Sequence, residues 1–234
     1  NGFAWRGHFE NNPPQVPTKE NHVGSYRRII NIPDNWDGKQ VIAHFGSVTS
    51  NMYLWVNGSY VGYTEDSKVA ADFDITKYLK KGTNLISFQT FRWSDGSYCE
   101  DQDFWRLSGV ARECYLYARD NKVHVEDMHI TPNLTNNYED GEVLVKVNAK
   151  GNPIIDFEIF NANGISVLKT ESNFKNRNIG SARFMLRNVK RWTAETPYLY
   201  TLVATVMDRK KNVKEVIKQN IGFRKVEIKG SQLL

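Results

Sequence analysis

The sequence predicts an all-β protein built from two β-sandwiches, and three observations carry that prediction. Apolar and polar residues alternate along most of its ordered-looking stretches, Asn-Gly dipeptides punctuate them, and helical periodicity is almost absent. In the first half the alternation covers residues 26–32, 40–45, 52–56 and 84–90; in the second it covers 143–147, 156–160, 200–207 and 213–218. Asn57-Gly58 between two such runs is a two-residue hairpin signal, because both central positions of that turn want positive φ. Asn163-Gly164 repeats the device, and residues 210–212 read as a looser hairpin loop. Residues 74–82 are the one helical candidate, a short turn ending at Gly82.

At 234 residues there is ample core for one large domain or two of ordinary size. The polar run at residues 118–123 marks the boundary. We therefore expect a jelly-roll sandwich over 1–120, where loops are long and aromatic-rich, and an immunoglobulin-like sandwich over 121–228, where short strands follow one another at even spacing. Residues 229–234 read as the start of a linker.

Composition narrows the partners. Net charge is +5, yet the basic residues scatter into small clusters such as Arg27-Arg28, Lys80-Lys81 and Lys190-Arg191, so nucleic acid is not expected. No stretch reaches the ~20 apolar residues of a membrane span, which makes a soluble protein, cytoplasmic or periplasmic, the expectation. Cys99 and Cys114 are too few for a disulfide framework and read as small buried hydrophobes. The five histidines show no metal-ligand spacing.

Function concentrates in residues 92–109. The run Arg92-Trp-Ser-Asp-Gly-Ser-Tyr-Cys-Glu-Asp-Gln-Asp-Phe-Trp-Arg-Leu-Ser-Gly109 holds four carboxylates, two arginines and four aromatics with almost no aliphatic side chain. Flat rings beside charged hydrogen-bonding groups suit a polar ligand with apolar faces, and a sugar is such a ligand. The alternative is a large loop whose rings pack down and whose charges pair locally. Among its residues, Trp93, Tyr98, Phe104 and Trp105 are the ring candidates, Ser94 and Asp95 read as turn formers, and Gly96 and Gly109 as positions of special backbone conformation.

The order of these residues closely resembles the same stretch in the β-galactosidases of glycoside hydrolase family 2, where it lies in the amino-terminal sugar-binding domain. Asn12-Pro-Pro-Gln-Val-Pro17, Tyr53-Leu-Trp-Val-Asn-Gly58, Val61-Gly-Tyr63, Asp66-Ser67 and Phe73-Asp74 resemble that domain too. Trp192-Thr-Ala-Glu-Thr-Pro-Tyr-Leu-Tyr200 and Ile221-Gly-Phe-Arg224 resemble segments closing the family's immunoglobulin-like domain.

The resemblance implies a galactose-binding-like jelly roll and a spacer, with the catalytic barrel of the parent enzyme absent from this chain. The parent would hydrolyse terminal β-D-galactosides with retention, using two barrel carboxylates about 5–5.5 Å apart. No catalytic residue is then expected in this chain, and no cofactor in the chain alone; the parent would use sodium and magnesium. The resemblance assigns Asp103 a contact to a galactose hydroxyl and to a monovalent cation shared with the barrel, and Asn1 a second sugar contact. An ionised carboxylate can accept a hydroxyl hydrogen bond worth ~1.5–3 kcal/mol and still offer a lone pair to a hard cation. The implied partners are a β-galactoside, the parent's own barrel and, in the parent, further copies of itself. Sibling β-glucuronidases or β-mannosidases share the architecture, and a stand-alone carbohydrate-binding module is the rival of another class. Some family members extend a loop of the second domain into a neighbour's active site; residues 170–181 here are shorter, polar and basic, which puts that arrangement in doubt.

Overall fold

A computed structural model describes residue 10 and residues 12–100, 107–170 and 178–233. Chain packing divides the protein into two compact units, Asn1–Ala118 and Arg119–Leu234. Both are β-sandwiches, and among the described residues no helix is long and apolar enough to cross a membrane.

The first unit holds β1 (Val23–Ile32), β2 (Gln40–Phe45), β3 (Val48–Thr49), β4 (Asn51–Val56), β5 (Ser59–Glu65), β6 (Ala71–Asp74), β7 (Gly82–Phe91), β8 (Gly109–Val110) and β9 (Cys114–Arg119). One sheet runs β1-β7-β4-β5 and the other β6-β2-β9, with β3 and β8 as a short extra pair. Strands distant in sequence are neighbours in each sheet, the crossing pattern of a jelly roll. Alternation explains the core directly. Met52, Leu54 and Val56 point inward from β4 with no exposed surface and meet Val41, Ala43 and Phe45 of β2, while Tyr53 and Trp55 point outward.

Turn chemistry behaves as expected at Asn57-Gly58, whose φ angles are +51° and +83°. The Asn57 side chain also serves the fold: its Oδ1 accepts the Leu85 N–H (3.0 Å), and its Nδ2 donates to the Tyr78 carbonyl (2.9 Å) and Asn84 Oδ1 (2.8 Å). Residues 74–82 form one 3-10 turn, Thr76–Tyr78, opened by Asp74, which accepts from the Thr76 N–H (3.0 Å) and hydroxyl (2.6 Å). The two cysteines are free and exposed, contrary to their reading as buried hydrophobes. Cys114 opens β9, an edge strand, and Cys99 lies on a short surface turn, so neither position faces the core.

The second unit holds β10 (His124–Thr135), β11 (Asp140–Lys150), β12 (Ile154–Phe160), β13 (Ser166–Thr170), β14 (Ile179–Leu186), β15 (Tyr200–Met207), β16 (Val213–Ile221), and a terminal hairpin of β17 (Ile228–Lys229) and β18 (Gln232–Leu233). Sheets β10-β11-β14 and β13-β12-β15-β16 give the three-plus-four arrangement of an immunoglobulin-like sandwich. Every second residue is buried: Val143, Val145 and Val147 on β11, Ile155, Phe157 and Ile159 on β12, Leu202, Ala204 and Val206 on β15. Such side chains contribute ~1.5–3 kcal/mol each on burial, so this unit rests on its apolar interior.

Two segments singled out in the sequence lock together here. The Trp192 N–H donates to the Phe223 carbonyl (2.9 Å), the Arg224 guanidinium lies 5.2 Å from the Trp192 ring centre, and the Phe223 and Tyr200 rings meet at 5.2 Å. A side chain at Gly222 would come within 3.0 Å of Trp192, which is why glycine stands there. Tyr200, at the start of β15, accepts the Lys190 N–H on its hydroxyl (2.9 Å), tying the preceding crossover to the sheet much as the tyrosine corner of such sandwiches does.

Asn163-Gly164 departs from the expected two-residue turn. Gly164 has φ +76°, but Asn163 stays outside the left-handed region, and the loop spans residues 161–165 with a bulge at Phe160. Asn161 causes this: its carbonyl accepts the Gly164 N–H, and its side chain accepts the N–H groups of Asn163 and Ile165, both at 3.0 Å. At residues 210–212 the loop is organised by Asp208, which accepts the Lys210 N–H (2.8 Å) and Asn212 N–H (3.0 Å). The Asn212 side chain and these amides hold its carboxyl down at about 2.

Candidate ligand-binding loop

The sequence-predicted ligand contacts Asp103 and Asn1 lie outside the described residues, as do Phe104, Trp105 and Arg106, and residues 171–177 of the second unit. What the structure does describe is how the loop that carries Asp103 is anchored. Its two stems leave the sandwich at Phe91, the end of β7, and at Gly109, the start of β8.

The first stem continues as if it were still a strand. Arg92 donates its N–H to the His22 carbonyl (2.9 Å), and the Asn21 side chain then pairs with both backbone groups of Trp93, each at 3.0 Å. Trp93 is buried at 5% exposure with the Arg92 guanidinium 4.9 Å from its ring centre, so this ring is core rather than a platform for ligand. The chain next turns. The Ser97 hydroxyl accepts the Ser94 N–H (3.0 Å), the Ser97 N–H returns to the Ser94 carbonyl (3.1 Å), and a single helical turn, α1 (Ser97–Glu100), follows. Ser94 and Asp95 thus form the expected turn. Tyr98 reaches out to donate its hydroxyl to the Gln15 carbonyl (2.7 Å).

Two carboxylates staple this turn to the end of β5. Glu65 accepts the Gly96 N–H on one oxygen (2.7 Å) and the Tyr63 hydroxyl on the other (2.5 Å). In the opposite direction Glu100 accepts the Ser67 N–H (2.9 Å) and, on its second oxygen, the Ser67 hydroxyl. Ser67 is itself buried, donating that hydroxyl while its carbonyl takes the Ser47 hydroxyl (2.6 Å). Between the two staples Asp66 adopts φ +104°, a conformation non-glycine residues rarely hold unless their neighbours enforce it. Burial works against ionisation of Glu65, but the Tyr63 hydroxyl and the Gly96 amide outweigh it and keep the carboxyl below its usual range. Burial, then the same bond to Glu65, pushes the Tyr63 phenol upward.

Gly96 and Gly109 turn out to be glycine for different reasons. Gly109 has φ +98° and pairs with Thr49, closing the second stem. Gly96 has no such angle; a Cβ there would sit 2.7 Å from Glu65 Oε1 and break the staple, so space and not conformation is what it supplies.

The chemistry open to the described part follows from these bonds. Glu65 and Glu100 each spend one oxygen on a backbone N–H and the other on a side-chain hydroxyl, so both are committed to holding the turn. Among the described residues no group of three or more His, Cys, Asp and Glu side chains is placed to hold a metal ion. Sequence reasoning had marked Asp66-Ser67 as part of a pattern without a role, and had passed over Glu65. The sequence shows there only two acids and a serine directly after a strand, and the burial of Ser67 is visible in the structure alone.

The described chain is thus a jelly roll with an anchored polar-aromatic loop, followed by an immunoglobulin-like sandwich. Residues 8–120 match the sugar-binding domain of glycosyl hydrolases family 2 and residues 123–224 match a second domain of that family; the chain belongs to it. The chain is 39% identical to the β-galactosidase of Priestia megaterium and 36% identical to that of Halalkalibacterium halodurans, in each case over 97% of its own length. It spans 23% and 22% of those proteins, about a quarter of their length. Among solved structures, a β-glucuronidase of Bifidobacterium dentium superposes with a TM-score of 0.78 over 90% of this chain and 41% of its own, at 19% identity. A Ruminococcus gnavus β-glucuronidase does so with 0.74 over 90% and 37%, at 22% identity. At such identities the likeness speaks for the fold.

Proposed function

We propose that this chain is the sugar-binding and spacer part of a retaining β-galactosidase, one that hydrolyses terminal β-D-galactosides with two carboxylates lying outside this chain. The observation that carries the reading is the sequence likeness to β-galactosidases across nearly the whole chain, at 35–39% identity. In this reading Asp103 accepts a sugar hydroxyl and shares a monovalent cation with the catalytic domain, and Asn1 adds a second sugar contact. The stapled turn at residues 94–100 supports it physically, because a contact residue three positions further on needs a stem of fixed direction. In this reading the acid–base pair belongs to the parent's catalytic domain, and the chain by itself cleaves nothing.

The test uses the full-length protein. It should cleave an aryl β-D-galactoside and leave the matching β-D-glucuronide and β-D-mannoside intact, with activity higher in sodium than in potassium. Asp103→Asn should lower kcat/KM by 10²-fold or more and abolish that sodium preference. Preference for the glucuronide would assign the chain to the sibling enzyme, and cleavage by this chain alone would overturn the division of labour.

A further inference from the structure

The terminal hairpin of the second unit has two unlike sides. Its strands, β17 and β18, have two residues each and are too short to hold themselves together in water, so other contacts must fix them. On one side the fastening is visible. The Tyr138 hydroxyl donates to a Glu227 carboxylate oxygen and accepts from Lys229 Nζ (2.5 Å). Lys225 pairs with the other Glu227 oxygen (2.7 Å), and Lys229 lies 3.1 Å from the first. Both ammonium groups also lie against the Tyr138 ring, at 5.7 Å and 5.0 Å from its centre. The Lys225 ammonium, ahead of the Tyr138 hydroxyl and Lys229, holds the Glu227 carboxyl down at about 2, so the cluster stays charged at neutral pH.

The turn that carries Tyr138 is built for this grip. Asn136, Asn137 and Tyr138 hold φ angles of +47°, +52° and +69°, three successive left-handed residues without a glycine. Asp140 enforces the bend: one oxygen accepts the Asn136 side chain (3.0 Å) and the other the Asn188 N–H (3.0 Å). Backbone of this kind persists only where its surroundings over-determine it.

The other side of the hairpin is open. Lys225, Glu227 and Lys229 meet Tyr138, whereas the intervening Val226 and Ile228 are 61% and 76% exposed. Leu233 stands opposite Ile228 in the register, hence on the same side, and is 73% exposed. Every charged residue of 225–233 is thus turned onto its own unit while three aliphatic side chains stand in water, the reverse of a solvated hairpin. Aliphatic groups offer a sugar neither a ring face nor a hydrogen bond; they fit the apolar surface of a folded domain.

Position indicates which domain. The match to the family's second domain ends at residue 224, β17 begins at Ile228, and the chain covers 23% of the Priestia megaterium relative. In the function proposed above, on which this inference rests, a catalytic domain follows. A domain joined directly to the hairpin acts on it at an effective concentration of about millimolar, ahead of any free partner.

We propose that the face formed by Val226, Ile228 and Leu233 is the docking surface for the catalytic domain of the same chain, and that Tyr138 holds the hairpin so that this face points outward. The charged cluster fastens the hairpin to the immunoglobulin-like unit, and the apolar side fastens the next domain to the hairpin.

The experiment compares hydrogen exchange over residues 225–233 in this chain and in the full-length protein. The segment should exchange about tenfold more slowly in the full-length protein, where its apolar side is covered. Ile228→Asp should leave the melting temperature of this chain unchanged, because the side chain lies in water, yet return exchange in the full-length protein toward the rate seen in the chain. Ile228→Ala should do so in part, which keeps the test decisive if the full-length aspartate variant fails to fold. Tyr138→Phe keeps the ring and loses the hydroxyl; it should speed tryptic cutting at Lys225 and Lys229 in this chain about tenfold while exchange in β11 and β15 stays as before. Unchanged cutting would overturn the role of Tyr138. Equal exchange of 225–233 in chain and full-length protein would overturn the docking surface, as would Ile228 variants that leave full-length exchange untouched. So would a chain that sediments as a dimer dissolved by Ile228→Asp, since the face would then belong to a second copy. None of these readouts involves a sugar, so a full-length protein that cleaved only glucuronides would refute the galactosidase reading and leave this one standing.

Discussion

The immunoglobulin-like sandwich and the ligand loop of the jelly roll are held by different forces. In the sandwich, four strands contribute an alternating row of buried Val, Ile, Leu, Phe and Ala, and no polar side chain is needed to explain the register. In the loop, residues 92–100 contribute only Trp93 to an apolar environment, and shape comes from side chains bonding to backbone: Asn21 to Trp93, Glu65 to Gly96, Glu100 to Ser67. An apolar core tolerates small changes of shape because its attraction is non-directional. A staple made of two or three directed bonds holds one geometry or releases it. In the function proposed above, where Asp103 meets a sugar, the loop gains from the second kind of support.

The largest expected effect lies on the sandwich side. Phe157 is 1% exposed and packs on Phe184 at 5.3 Å, so Phe157→Ala should destabilise this unit by about 3–5 kcal/mol, read from urea unfolding. A loss below 1 kcal/mol would mean the interior can collapse around the gap and that its support is less specific than the alternation implies. Tyr200→Phe is the finer probe of the same unit. It keeps the ring against Phe223 but removes the acceptor for the Lys190 N–H, and a cost of about 1 kcal/mol is expected.

The same contrast decides how much could be read before any coordinates. Period-two alternation is a local property of sequence, so the strands around Val143, Phe157 and Leu202 were legible, as were the Asn57-Gly58 turn and the all-β class. Asn163-Gly164 misled because a side chain two residues earlier, Asn161, reorganised the loop, and side-chain-to-backbone bonds leave no periodic trace. The staples are harder still. Glu65 and Gly96 are 31 residues apart and Ser67 and Glu100 are 33 apart, and nothing in either segment announces its partner. Only the composition of residues 92–109 and their order marked that segment as a candidate site. The glycines illustrate the limit well: Gly109 needed its positive φ, whereas Gly96 is required by a carboxylate that the sequence places far away.

The smallest effect in free energy is the most discriminating for the loop. Glu65 has a folded pKa below its ordinary value, so its bond to Gly96 contributes stability that is fully present above the unfolded value near 4.3 and is lost as pH falls through the lower folded one. The Gly96 amide proton should therefore hold its shift from neutral pH down to about pH 4 and move only below it. Glu65→Gln should remove that titration and speed hydrogen exchange at Gly96, while the melting temperature of the chain changes little, since the loop adds few apolar contacts to the core. Exchange at Ser67 should stay slow in that variant, because its own bond runs to Glu100. If Gly96 instead titrates unchanged in Glu65→Gln, its amide reports some other acid. The turn would then be held by its own serines, Ser94 and Ser97, and the direction of the stem toward Asp103 would rest on the strand-like pairing of Asn21 with Trp93 alone.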